Sequence, residues 1–329
     1  MKELGFGVVG LGVMGQRRIS VLQKLQGVVI RAVCDTDPAK VRVMGKELGC
    51  RYFEQYRDML NEDIDCVVVC LPNYLHYDAS ISFLRAGKNV MCEKPLAIAP
   101  SQAWDMVRTA KAHGVYLKTA ANHRYMPNIV KAHEIVSSGG IGRPLFFRGF
   151  IGHKGQRFSS NWFLNPQMSG GGTLMDNGCH LLDLSRWFVG DAVECMGYVA
   201  TLHLQIAPLE DNAFATIKTN NNAFVMISSS WTEWFGYLYF EIYGGEGFVI
   251  VDCRYGNRIT YGRRYEDHVK AYDFTDLPQQ SYRLEMSELV SNLREHKPLS
   301  PSGEDGAKAL EMIHAIYESS RTGVSRKCS

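Results

Sequence analysis

Residues 4–122 repeat one pattern: a short apolar run, a polar turn, then a stretch of helical periodicity. The pattern predicts strands at Leu4–Val9, Val28–Asp35, Cys66–Leu71, Asn89–Cys92 and Tyr116–Ala120. Runs such as Cys66-Val67-Val68-Val69-Cys70 are apolar at every position rather than at alternate ones. Strands covered on both faces look like this, so the expectation is a parallel sheet between helix layers, joined by right-handed βαβ crossovers.

After Arg124 the texture changes. Longer strands are predicted at Leu145–Ile151, Val193–Leu204, Ala213–Thr219, Ala223–Trp231, Tyr237–Tyr243 and Gly247–Asp252, separated by turns such as Thr219-Asn220-Asn221-Asn222. Phe214, Thr216 and Lys218 oppose Ala215 and Ile217, as in an antiparallel sheet with one packed and one open face. Ser302 and Asp305 form a capping-box-like start to a helix carrying Ala307, Leu310, Ile313 and Tyr317, expected to end near Gly323.

The chain has 329 residues, which suits two domains. Its 46% hydrophobic and 21% charged residues are those of an ordinary globular protein. A net charge of +2 argues against a nucleic-acid or polyanion partner. No apolar run approaches the ~18 residues that span a bilayer, and no signal peptide is read at the N-terminus. Nine cysteines are scattered without CxxC spacing, so neither disulfides nor a zinc site are expected, and a reducing, cytoplasmic location is.

Gly10-Leu11-Gly12-Val13-Met14-Gly15 follows a predicted strand and opens a helical stretch carrying Ile19, Leu22 and Leu25. In a GxGxxG turn the first glycine makes the bend, the second admits a pyrophosphate and the third lets helix pack on strand. Asp35 ends the second strand, twenty residues after Gly15, where a carboxylate accepts hydrogen bonds from ribose hydroxyls and repels a 2′-phosphate. NAD(H) is therefore expected over NADP(H), in a Rossmann-type doubly wound domain.

Two further segments carry chemistry. Leu71-Pro72-Asn73-Tyr74-Leu75-His76 and Cys92-Glu93-Lys94-Pro95 both lie at C-terminal ends of predicted parallel strands, the edge at which such sheets bind ligands. There the Lys94 ammonium is suited to stabilising a developing alkoxide. Gly170-Gly171-Gly172 precedes a stretch with Asp176, His180 and Asp183 at spacings that share one helix face. The three glycines suggest a helix start brought close to a ligand. Metal binding is not expected, since neither HExxH nor a Cys/His cluster is present.

Together GLGVMG, PNYLH, AGKNVMCEKP and SGGGTLMDNGCHLLDLSRWFVG resemble the Gfo/Idh/MocA family of oxidoreductases over essentially the whole chain. The resemblance implies that Lys94, Asp176 and His180 line a substrate pocket beside the nicotinamide, that the loops of Glu93 and Asn73 contact the cofactor, and that the peptide before Pro95 is cis. It implies a Rossmann domain over 1–122 and a substrate-binding and oligomerisation α+β domain over 123–329. The second domain would hold a large, mostly antiparallel open sheet, with a helix at about 303–322 packing back on the first.

Cofactor contacts are expected at Gly10, Gly12, Val13, Met14, Gly15, Asp35, Leu71, Pro72, Asn73, His76, Glu93 and Lys94. Substrate contacts are expected at Lys94, Asn122, His123, Arg124, Tyr125, Trp162, Asn165, Asp176, His180 and Tyr237. Lys154 and Arg157 read as solvated surface charge or as partners of a substrate phosphate. In the expected reaction of a sugar-like substrate His180 takes the hydroxyl proton, Lys94 stabilises the oxygen and Asp176 orients the substrate. Two alternatives stay open: a non-catalytic NAD-binding regulator of the same fold, and an enzyme using NAD transiently for elimination or glycoside cleavage. The exposed sheet face, with Phe224, Tyr237, Tyr239 and Phe248, points to a homodimer or homotetramer.

Overall fold

A computed structural model describes residues 3–155, 162–275 and 280–328. It divides into two compact units, one formed by Met1–Ala121 with Tyr282–Ala307, the other by Asn122–Ser281 with Lys308–Ser329.

In the first unit the strands are β1 (Leu4–Val9), β2 (Val28–Cys34), β3 (Arg51–Phe53), β4 (Cys66–Val69), β5 (Asn89–Glu93) and β6 (Leu117–Ala120). They form a parallel sheet in the order β3-β2-β1-β4-β5-β6. The order reverses between β1 and β4, the switch point at which doubly wound sheets open a ligand crevice. The connecting helices are α1 (Val13–Leu22), α2 (Pro38–Leu48), α3 (His76–Arg85) and α4 (Pro100–Ala112). Helix α1 buries Gly15, Arg18, Ile19 and Leu22, a single stripe at helical spacing. Helix α2 starts at Asp37, whose carboxylate accepts from the amides of Ala39 and Lys40, and stops at left-handed Gly49. Strand β3 is short and mostly exposed, which leaves no apolar run to announce it.

The second unit holds β7 (Pro144–Gly152), β8 (Ala192–Ala200), β9 (Asn212–Thr219), β10 (Phe224–Ser230), β11 (Leu238–Gly244), β12 (Gly247–Asp252), β13 (Arg258–Arg263), β14 (Lys270–Asp273) and β15 (Arg326–Lys327). The sheet order is β14-β13-β12-β11-β7-β10-β9-β8-β15, antiparallel except for the β7–β10 pair. Helices α5 (Pro127–Ser137), α6 (Pro166–Ser169) and α7 (Cys179–Val189) belong to this unit. On the packed face Phe147 stacks on Phe240 and meets Phe188 of α7. The opposite face leaves Phe214 51%, Phe224 55% and Met226 49% exposed. Strand β8 ends at Ala200 rather than Leu204, because the Asp211 carboxylate gathers the amides of Leu202, His203 and Leu204 into a turn.

The last part of the chain departs from the expected division at residue 122. Helix α8 (Gln280–Glu295) sends Met286, Leu289, Val290 and Leu293 into the core formed by Phe6, Val8, Leu11, Ile19 and Leu22. Residues 282–307 thus belong to the first unit. Helix α9 (Gly303–Thr322) opens there and continues in the second. The Ser302–Asp305 capping box is formed: the Ser302 amide and hydroxyl donate to the Asp305 carboxylate, and the Asp305 amide donates to the Ser302 hydroxyl. Among the described residues, no helix is long and apolar enough to cross a membrane.

Candidate functional site

Each glycine of the GxGxxG loop answers a distinct steric demand. Gly10 has φ +90° and an added Cβ would lie 2.4 Å from the Cys70 carbonyl oxygen, so the loop after β1 lies tight against the end of β4. A Cβ on Gly15 would fall 1.9 Å from the Gly10 oxygen. A Cβ on Gly12 would meet nothing within 4 Å, which leaves the open space a pyrophosphate needs at a helix start. Val13 is 72% exposed beside it. Asp35 accepts from the amides of Leu11 (2.7 Å) and Asp37 (3.0 Å), and Lys40 Nζ lies 3.7 Å from its Oδ1. The carboxylate is thereby fixed at the end of β2 beside the glycine loop. Open glycine, tight turn and held acid together fit a dinucleotide.

At the switch point Leu71 and Pro72 are half-buried and Asn73 is buried. His76 and Glu93, both expected at the cofactor, are buried and bonded within the protein. His76 is 1% exposed, with Nδ1 2.7 Å from the Pro95 carbonyl oxygen and Nε2 2.8 Å from that of Leu71. Burial pushes its pKa down, although both carbonyls favour the proton. The Glu93 carboxylate receives Nε (2.9 Å) and Nη2 (2.7 Å) of Arg18, whose Nη1 donates to Glu285 at 2.5 Å. Burial works against the Arg18 charge, but Glu285 and Glu93 outweigh it and hold the pKa above its ordinary value. Burial pushes Glu285 upward. Lys94, between these two braces, is half-buried, and its peptide to Pro95 is cis.

In the second unit Asp176 lies in a π-helical turn, Leu174–Gly178, that leads into α7. Such turns are frequent at functional sites, and they alter the i, i+4 register assumed for an α-helix. The three ionisable residues accordingly serve different neighbours. Asp176 Oδ2 lies 3.4 Å from the Trp231 indole nitrogen and 3.7 Å from His153 Nε2. The His180 ring lies 3.9 Å from that of His123, centroid to centroid, and His123 Nε2 is 2.7 Å from the Tyr237 hydroxyl. Asp183 takes a buried, bidentate pair from Arg124 (2.8 and 2.5 Å). Arg124, expected at the substrate, is held by Asp183 and lies over the Trp187 ring.

The glycines before this helix also have an internal reason. A Cβ on Gly172 would strike the Glu210 backbone, and one on Gly171 the Tyr317 hydroxyl. The buried Glu210 carboxylate accepts from the amides of Gly172 and Leu174 (2.9 Å each) and from Tyr317 (2.9 Å). The helix start expected to face a ligand is thus capped from within. Of the remaining candidates, Asn122 donates to Ser281, Tyr125 is buried and Trp162 packs edge-on against Phe163. Asn165 caps α6 through the Gln167 amide. Lys154 is exposed, and Arg157 lies outside the described residues. Among those described, no cluster of His, Cys, Asp or Glu is arranged for a metal.

Sequence reasoning missed Arg18, Glu285, Glu210, His153 and Trp231. Arg18 had a signal, a charge within the buried stripe of α1.

Comparison with known proteins agrees with this architecture. A family described as "Oxidoreductase family, NAD-binding Rossmann fold" matches residues 4–121, and the "GFO/IDH/MocA C-terminal domain" matches residues 129–250. The chain is 26% identical to a myo-inositol 2-dehydrogenase of Thermotoga maritima over 95% of each chain. It is 27% identical to a 1,5-anhydro-D-fructose reductase of Ensifer adhaerens over 79% of each. A levoglucosan dehydrogenase in complex with NADH and levoglucosan shares the fold, with TM-score 0.90, 21% identity and coverage of 99% of this chain and 100% of that one.

Proposed function

Because the chain belongs to the Gfo/Idh/MocA family of oxidoreductases and carries its NAD-binding Rossmann fold, we propose that it moves a hydride between NAD(H) and a secondary carbinol or ketone of a sugar, a cyclitol or a sugar derivative. The substrate class is supported by relatives named for inositol and 1,5-anhydro-D-fructose. The nicotinamide supplies the hydride acceptor or donor.

The protein's part is proton handling and placement. His180 takes the carbinol proton as general base, a role for which imidazole is the most frequent choice near neutral pH. Lys94 donates a hydrogen bond to the same oxygen and stabilises its negative charge. Asp176 orients the substrate. His123 and Tyr237, hydrogen-bonded to each other at 2.7 Å with His123 against His180, bear on the substrate's other hydroxyls. Asn122, Tyr125, Trp162 and Asn165 remain outer candidates. The observation that carries the proposal is the seat of Lys94, an ammonium at the C-terminal edge of β5 with its neighbours on both sides tied down.

The proposal extends to a cytoplasmic homodimer or homotetramer. Nine free cysteines support a reducing compartment, and the exposed apolar sheet face supports self-association.

The direct test is a coenzyme-coupled screen of polyols, cyclitols, free sugars and sugar phosphates with NAD⁺, and of the matching ketones with NADH. Turnover of at least one class with stoichiometric NADH change is expected. No net change with any class, alongside normal NADH binding, would contradict a dehydrogenase and favour a regulator or transient NAD use.

A further inference from the structure

Arg18, Glu285 and Lys118 are charged yet at most 1% exposed, and Glu93 is only 7% exposed. Burying charge is unfavourable unless it is paired, and paired burial adds little net stability, so such a group is weak evidence of a stabilising device. What it does provide is fixed geometry. Arg18 grips the Glu93 carboxylate with two N–H groups and is itself held by Glu285 from α8. Lys118 lies near enough to Glu285 to oppose the rise in its pKa, and it donates to the Ser300 carbonyl. Two cations and two anions thus balance.

Glu93 is the last residue of β5, and Lys94 follows it directly. The next residue is Pro95, whose carbonyl is bonded by His76; the other ring nitrogen meets the Leu71 carbonyl just beyond β4. Neither anchor touches the lysine side chain in these bonds; one holds the side chain of the residue before it and the other the backbone carbonyl of the residue after it.

We propose that Arg18 and His76 are positioning residues for Lys94, acting as two clamps, one on the Glu93 carboxylate and one on the Pro95 carbonyl. The proposal rests on the assignment of Lys94 to the substrate oxygen and adds how that ammonium is kept in register. Misplacing a catalytic group by about 1 Å costs on the order of 10²-fold in rate. The clamps therefore act on kcat rather than on cofactor affinity.

The test combines amide exchange with a mutant cycle on the full chain. Arg18→Lys keeps the charge and loses the planar fork; His76→Asn keeps one donor and loses the second nitrogen. Should Arg18→Lys not accumulate as folded protein, Glu93→Gln reads the same clamp. Hydrogen exchange, which needs no substrate, should rise about tenfold or more in the peptide spanning residues 92–97. With the fastest substrate from the screen above, each variant should lose about 10- to 100-fold in kcat, with NADH affinity within about 3-fold.

In a Lys94→Met background the same changes should add less than about 2-fold, because nothing is left to position. Equal losses on both backgrounds, or unchanged exchange at 92–97, would overturn the clamps and leave Lys94's role standing. A Lys94→Met enzyme with wild-type kcat would instead remove the assignment on which they rest.

Discussion

Asp35 is held by the Leu11 and Asp37 amides, and Lys40 stands 3.7 Å away, so the carboxylate proposed to choose between cofactors is fixed in place by the protein itself. Its carboxylate suits ribose hydroxyls and opposes a 2′-phosphate. NADH should bind clearly more tightly than NADPH in fluorescence titration, and Asp35→Ala should narrow the gap; equal affinities in the unmutated protein would contradict the role given to Asp35. His76 yields a pH prediction. Burial lowers its folded pKa below the unfolded value of about 6.5, so the unfolded chain binds more protons as pH falls. The stability contributed by the neutral ring is present above about pH 6.5 and is lost as pH falls through the lower folded value. Denaturant unfolding at pH 7.5 and 5.5 should therefore show a smaller loss for His76→Asn than for the parent chain. At this scale the tight turn of the glycine loop was legible, because the spacing of Gly10, Gly12 and Gly15 constrains it. The engagement of Arg124 by Asp183, and of Glu93 by Arg18, was not. Each pair joins residues far apart in sequence, 59 and 75 positions respectively, and no local pattern reports such a contact.

Every strand of the parallel sheet except β3 was legible, most clearly where both faces are covered and the run is apolar throughout, as in Cys66–Val69. Short, charged strands such as Arg258–Arg263 and Lys270–Asp273 were not, since their formation depends on a neighbour's edge rather than on their own composition. Helix α7 shows how an element's start can be set from outside. Glu210 caps the π-helical turn that leads into it through the Gly172 and Leu174 amides, from a loop more than thirty residues later in the chain. Glu210→Ala would orphan these buried donors, at about 1–3 kcal/mol each. Chemical denaturation should show the loss, and residues 172–180 should exchange faster. Unchanged stability would mean the cap is dispensable. Glu210→Gln should lie between, because it presents an amide N–H to a backbone N–H at one of the two positions.

For the whole molecule, the open sheet face expected from the alternation at Phe214–Lys218 is present. It carries Phe214, Phe224 and Met226, each about half exposed, and a stack of Phe150 on Tyr239 beneath Arg254. Tyr237, expected on that face, instead hydrogen-bonds His123. Light scattering at micromolar concentration should give a dimer or tetramer, and Phe214→Glu with Met226→Glu should shift it toward monomer; a monomeric parent chain would rule out the sheet-mediated assembly. One compact unit begins at Asn122, near the point at which the strand–helix alternation of the sequence stops. The return of 282–307 to the first unit was not legible, because the apolar stripe of α8 fits any core of suitable shape.

The central claim is that Lys94 and His180 act on one substrate oxygen, and it is tested most directly by kcat for Lys94→Met, His180→Ala and the double variant, with NADH affinity measured alongside. Loss of the base should lower kcat about 10²–10⁴-fold and loss of the ammonium about 10²–10³-fold, with NADH binding retained. The double variant should fall short of the product of the single losses, because both groups serve the same developing charge. A Lys94→Met enzyme with near-parental kcat, together with a His180→Ala enzyme altered only in KM, would contradict the claim and make both residues substrate holders.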